Sequence, residues 1–142
     1  MKTLSLLTIL IIVLGFASCD NREVDLKADQ KPGTPSAIKK LEVTGSRTKA
    51  NVRKNMTPLV NKMVEIYKKH QAKNPELKGT IELRLVVEFN GEVQEIKIIR
   101  TTISDENFLK DVIRPIEFTD FDGWGNSEDE TEILCTIEFK LQ

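Results

Sequence analysis

From Thr80 to Phe89 the chain alternates. Ile81, Leu83, Leu85, Val87 and Phe89 are apolar, and the residues between them are polar except Val86. Period two with one apolar face predicts a half-buried strand. Asn90-Gly91 follows, the dipeptide that favours a two-residue type I′ turn with positive φ at both positions. Val93–Thr101 then returns as the second arm of a hairpin. A two-residue turn pairs Phe89 with Glu92, which sets Leu85 opposite Ile96 and Leu83 opposite Ile98. Val93 and Ile99 fall on the other face in that register, so a bulge is expected near the turn. A third alternating run, Thr131–Leu141, places Thr131, Ile133, Cys135, Ile137, Phe139 and Leu141 on one face and Glu132, Leu134, Thr136, Glu138 and Lys140 on the other.

Helical spacing occurs twice. Leu59, Val60, Met63, Ile66, Tyr67 and His70 form one stripe, with Thr57 as cap and Pro58 at the first helical position. Asn51–Met56 is read as a preceding helical turn, in which case Pro58 kinks the element. The helix is expected to end by Lys73, before Asn74-Pro75. The second helix is expected from Ser104, its N-cap, to Arg114, with Phe108, Leu109, Val112 and Ile113 buried and Pro115 as its stop. The order helix, strand, strand, helix, strand predicts an α+β domain. Its simplest closed form is two helices packed on one face of a three-stranded antiparallel sheet. Upstream, Ile38–Thr44 alternates weakly and is a candidate short strand. Lys31-Pro32-Gly33-Thr34-Pro35-Ser36 breaks helix and strand alike. Residues 19–50 are therefore read as a tether and 51–142 as the folded domain.

The first 18 residues change the picture of where the protein works. Met1–Ser18 carries one Lys near its start, then an apolar run from Leu4 to Leu14 broken only by Ser5 and Thr8, then Ala17 and Ser18. Charged start, short apolar core and small residues are the marks of a secretory signal. The run falls short of the roughly 20 apolar residues a bilayer crossing needs. Small residues directly before Cys19 resemble a bacterial lipobox, with Cys19 as the lipidated first residue of the mature chain. The alternative is ordinary cleavage after Ala17 or Ser18, giving a soluble periplasmic or secreted binding protein of the same fold.

Composition removes several function classes. The 142 residues hold 21 Lys+Arg against 22 Asp+Glu, one His, one Tyr, one Trp and two Cys. A balanced charge argues against nucleic acid, which selects a basic surface. A single His and two Cys exclude a multi-histidine or cysteine-cluster metal site. Asp120, Asp122 and Gly125 match the first, third and sixth positions of a calcium loop. Trp124 and Thr131 then stand where ligands are required. No metal or other cofactor is expected, and no nucleophile–base–orienter set is visible, so the chain is read as non-catalytic; a small hydrolase is the remote alternative. His70 reads as a half-buried helical histidine and Cys135 as an inert core thiol. An intermolecular disulfide is the alternative for Cys135. Trp124, between Gly123 and Gly125, is either a partner contact or a ring tucked over the core.

The run Tyr67-Lys68-Lys69-His70-Gln71-Ala72-Lys73-Asn74-Pro75-Glu76-Leu77-Lys78-Gly79-Thr80, a strand, then Asn90-Gly91-Glu92-Val93 resembles the AgmX/PglI C-terminal domain family, within the wider TonB C-terminal-like group. Tyr67, Pro75, Gly79, Gly91 and Val93 are the structural positions that carry the likeness. Ile66 stands where that family often has a Cys, so no redox role is carried over. The resemblance implies an envelope protein-interaction module, held to a membrane by its N-terminal lipid and facing the periplasm or the outside. Its partners would be other envelope proteins or peptide segments. In TonB-like sheets the final strand is an edge. By that likeness Thr131–Leu141 would offer its backbone to an incoming strand, with Thr131, Leu134, Thr136 and nearby Trp124 as the candidate partner-binding edge.

Overall fold

The alternating runs pair as antiparallel strands, and a fourth strand joins them. The computed structural model describes residues 37–126 and 128–140. The signal segment, Cys19 and most of the expected tether lie outside the described residues. The elements are β1 (Ile38–Gly45), α1 (Lys49–Gln71), β2 (Gly79–Val87), β3 (Val93–Thr101), α2 (Glu106–Glu117) and β4 (Thr131–Phe139). The sheet order is β1-β4-β2-β3, every neighbour antiparallel. The fold is α+β as expected, but its sheet has four strands rather than three. The folded part also begins before Asn51, because β1 lies within what the sequence suggested was tether. No helix among the described residues is long and apolar enough to cross a membrane.

Register explains the core. Leu41, Cys135, Leu83 and Ile98 line up across the four strands, as do Val43, Ile133, Leu85 and Ile96. These rows point toward the helices. Val52, Met56, Leu59, Met63 and Tyr67 of α1 and Phe108, Val112 and Ile116 of α2 close over them in one buried cluster. Burying each such aliphatic side chain contributes roughly 1.5–3 kcal/mol. Tyr67, Phe108 and Phe139 pack together, with ring centroids 5.1–6.0 Å apart.

Several local expectations are corrected. Leu85 faces Ile96 and Leu83 faces Ile98, as the alternation required. The turn is different. Gly91 N–H donates to the Glu88 carbonyl at 3.0 Å, Glu88 N–H donates to the Glu92 carbonyl at 2.9 Å, and only Gly91 has positive φ. This is a three-residue loop with glycine in the left-handed position, not a type I′ turn. The register shift between Val86 and Val87 then restores the predicted mid-hairpin pairing. α1 starts at Lys49, capped by Thr48, whose side chain accepts from Asn51 N–H. Pro58 therefore sits inside the helix, and Thr57 donates its hydroxyl to the Arg53 carbonyl at 2.8 Å instead of capping. Asp105 rather than Ser104 caps α2, which runs through Pro115 to Glu117. In each case the buried apolar face outweighs the one backbone bond that proline removes.

Arg47 holds the ends of these elements together. It is 4% exposed, a charge taken almost wholly inside. Its guanidinium donates to the Asp122 carbonyl at 2.6 Å, the Glu88 carbonyl at 2.9 Å and Asn51 Oδ1 at 3.2 Å. It also lies 5.8 Å from the Phe121 ring centre. Burial lowers its pKa and the nearby Asp122 carboxylate opposes that, but a guanidinium stays charged in proteins.

Two outcomes follow. Arg47→Met keeps an apolar stem but removes the donor to the Asp122 carbonyl and Asn51 Oδ1 and leaves the Glu88 carbonyl with Gly91 N–H alone, and it should cost about 2–4 kcal/mol in urea unfolding. A loss under about 0.5 kcal/mol, the range of an ordinary surface substitution, would refute the clamp. Cys135 is fully buried, and burial pushes its thiol up to about 12. Peptide mapping after alkylation at mildly alkaline pH should find Cys135 unmodified in the native chain and modified in denaturant.

Candidate functional site

The residues that the expected edge required do not form one. β4 pairs with β1 on one side and β2 on the other, so its backbone groups are engaged on both sides. Leu134 lies between Glu42 and Arg84, and Thr136 between Lys40 and Glu82, in the middle of the sheet. Thr131 is 2% exposed, and its hydroxyl oxygen accepts from Arg47 N–H at 3.4 Å. Trp124 donates its indole N–H to the Ser46 carbonyl at 3.0 Å and its backbone N–H to the Phe89 carbonyl at 2.6 Å. These bonds staple the loop to the hairpin and to the end of β1, with the Trp124 side chain half-buried.

The edges are instead β1 and β3. β3 is interrupted by register shifts opposite Val86/Val87 and Glu82/Leu83, which leave Gln94 and Ile99 outside the ladder. Bulges, with Glu95, Lys97 and Arg100 along the strand, are the usual means of discouraging edge pairing. The sheet face away from the helices is closed by charge. Arg84 bonds Glu132 at 2.6 Å and Glu95 at 2.6 Å, and both pairings raise its pKa.

What remains is a groove of about 590 Å³ between α1 and α2. Lys62, Ile66, Lys69 and His70 line it from α1, at helical steps that put them on one flank, and Lys73 lines it from the turn just after that helix. Asp111, Arg114 and Pro115 line it from α2, and Phe118 and Thr119 from the turn that ends that helix. His70 Nε2 meets Asp111 Oδ2 at 2.9 Å, tying the two helices together. The ring of His70 also stands 5.4 Å from Phe108, edge to face, so its inner side belongs to the core. Thr119 N–H donates to the Ile116 carbonyl at 3.3 Å, and its hydroxyl donates to the Pro115 carbonyl at 2.8 Å. The chain thus turns away at Phe118 and leaves its ring 79% exposed.

Chemically the groove is a cationic, apolar-floored trough. His70 and Asp111 have the geometry of a base and its orienter, but the hydroxyl lining the groove, that of Thr119, is committed to its own helix. Among the described residues no group of three or more His, Cys, Asp or Glu is placed to hold a metal ion. Sequence reasoning anticipated His70 as half-buried but missed Lys62, Lys69, Asp111, Arg114 and Phe118 as neighbours. The available signal was Phe118, an aromatic out of phase with the stripe of its own helix.

Tyr67, Pro75, Gly79, Gly91 and Val93 have structural work. Tyr67 donates its hydroxyl to the Leu77 carbonyl at 2.6 Å and accepts from Gln71 at 3.1 Å. Leu77 N–H in turn donates to the Asn74 carbonyl at 3.0 Å, so Pro75 sits in a tight turn that Tyr67 locks from inside. Burial raises the Tyr67 pKa and keeps the phenol a donor. Gly79 has φ +145°, and a Cβ there would fall 2.5 Å from Thr102 Oγ1. Gly91 has φ +98°, and a Cβ there would fall 1.9 Å from the Phe121 carbonyl oxygen. Val93 pairs with Val87 beside the turn. Tyr67→Phe should therefore destabilise by about 1–3 kcal/mol through the orphaned Leu77 carbonyl, read by thermal or urea unfolding. Unchanged stability would show that the turn does not depend on this bond.

No family model, no curated protein and no solved structure matches the chain.

Proposed function

We propose that the chain is a lipid-anchored bacterial envelope protein whose folded part is a non-catalytic protein-interaction module of TonB C-terminal-like kind. Cys19 carries the lipid, and the residues after it connect the anchor to the sheet. The order helix, hairpin, helix, strand supports the resemblance to the AgmX/PglI C-terminal domain family. So does the Tyr67-locked Asn74–Leu77 turn. The observation that carries the interaction reading is Phe118, an aromatic ring 79% exposed at the end of α2, on the lip of a concave groove. Solvent-exposed aromatics beside a concavity are the usual anchors of protein recognition.

Intact-mass analysis of the chain recovered from bacterial membranes tests the anchor. The expected mature species begins at Cys19 and carries the added mass of acyl chains. Cys19→Ser should shift the protein from the membrane fraction to the soluble one. A wild-type mature chain with an unacylated first residue at 18–20 overturns the anchor and leaves the soluble binding protein of the same fold.

A further inference from the structure

The groove's charge selects among occupants. Lys62 and Lys69 from α1, Lys73 from the turn after it and Arg114 from α2 line it, and among the described residues none of the four is in an ion pair. Its one acid, Asp111, is already engaged by His70 at 2.9 Å. The whole chain carries a formal net charge of −1, so this positive cluster runs against the overall sign. Beside these cations, Ile66, Pro115 and Phe118 supply an apolar strip to the lining.

We propose that the groove receives an acidic, helix-forming segment of a partner protein that carries a large apolar anchor residue. The proposal rests on the protein-interaction reading above and names its partner chemistry. Lys62 and Lys69 fall at helical steps i and i+7, a cationic row about 10 Å long at 1.5 Å per residue, and Lys73 follows in the turn after the helix. A partner helix with Asp or Glu at matching steps meets that row charge for charge. Its apolar residue fills the floor beside Phe118, the helix-in-groove mode of recognition. Charge complementarity fixes orientation and speeds encounter, while the buried apolar anchor supplies residence time. A flat anionic bilayer meets the same cations but does not enter a concavity, so it leaves the apolar strip unfilled.

Panning a random library of peptides of about 14 residues against the full chain held in zwitterionic nanodiscs tests this. Should the chain prove unanchored, it is panned in solution, so failure of the lipid reading is seen separately. Enriched peptides are expected to be acidic, with Asp or Glu spaced three or four residues apart around an aromatic or leucine. A selected peptide should lose at least tenfold in affinity to F118A and to the double variant K69E/R114E. Its affinity should also fall about tenfold between about 0.05 and 0.5 M salt. The same peptide with Lys in place of its Glu should regain binding to K69E/R114E, a rescue that no folding defect imitates. Native-state protection of Cys135 from alkylation reports that each variant is folded. Enriched peptides without acidic bias, or binding indifferent to both variants, overturn the groove as the site while leaving the general interaction reading standing. Capture by phosphatidylglycerol nanodiscs that depends on Phe118 and Lys69, with no peptide enrichment, assigns the surface to lipid and overturns the proposal.

Discussion

A single buried guanidinium sets how the two halves of the chain meet. Arg47 stands between β1 and α1, yet its donors reach the hairpin turn at Glu88 and the loop at Asp122. Taking a charge inside costs several kcal/mol unless its donors are satisfied. Here they are satisfied by backbone carbonyls, which only a closely fitted loop can present. The loop is held in the same way. Phe121 N–H donates to the Gly91 carbonyl at 2.8 Å and Trp124 N–H to the Phe89 carbonyl at 2.6 Å. Gly91 is required for that approach, since any Cβ there would overlap the Phe121 backbone. The path from α2 to the last strand is thereby fixed, and it delivers β4 into the sheet between β1 and β2.

That placement accounts for what the sequence showed and what it hid. β2 and β4 are buried on one face along their whole length, so their alternation was plain and their facing residues were predictable. β1 was obscured by one residue. Ile38 pairs with Ile137 and Lys40 with Thr136, leaving Lys39 as an insertion in the ladder. The bulge lets Ile38, Leu41 and Val43 share the inner face although their spacing breaks period two. The segment therefore read only as a weakly alternating candidate strand, outside the three strands counted in the sheet. The hairpin misled in the opposite way. Asn90-Gly91 looked like a two-residue turn, but the loop uses one left-handed residue and a later bulge corrects the count, so the register survived a wrong turn.

Helix limits failed for a different reason. Thr57-Pro58 and Ser104 are sound local start signals, but Val52 and Met56 are fully buried and extend the apolar stripe of α1 back past Pro58. Tertiary burial outweighed local propensity. The groove was less legible still. Its cations lie on two helices far apart in sequence, in a chain where Lys and Arg are common, and nothing local marks Lys69 and Arg114 as neighbours. Phe118 was the exception, because a large aromatic flanked by Glu117 and Thr119 at a helix end has no place in the amphipathic stripe.

The position of β4 also decides where recognition can occur. An edge strand recruits a partner through backbone hydrogen bonds, which are largely indifferent to side chains. With β4 enclosed and β3 broken by two bulges, that route is obstructed on the hairpin side. The outer sheet face is occupied by its own ion pairs, Arg84 with Glu95 and Glu132, and Lys39 with Glu138 at 2.9 Å. The helix layer differs: its groove presents cations with no acid of their own, and an aromatic ring that the core does not cover. The same packing that buries Phe108 between Tyr67, His70 and Phe139 sets α2 against α1 and so aligns Arg114 and Phe118 with the lysines of α1. The arrangement of this surface is thus a consequence of core packing, and what it presents is side chains rather than backbone.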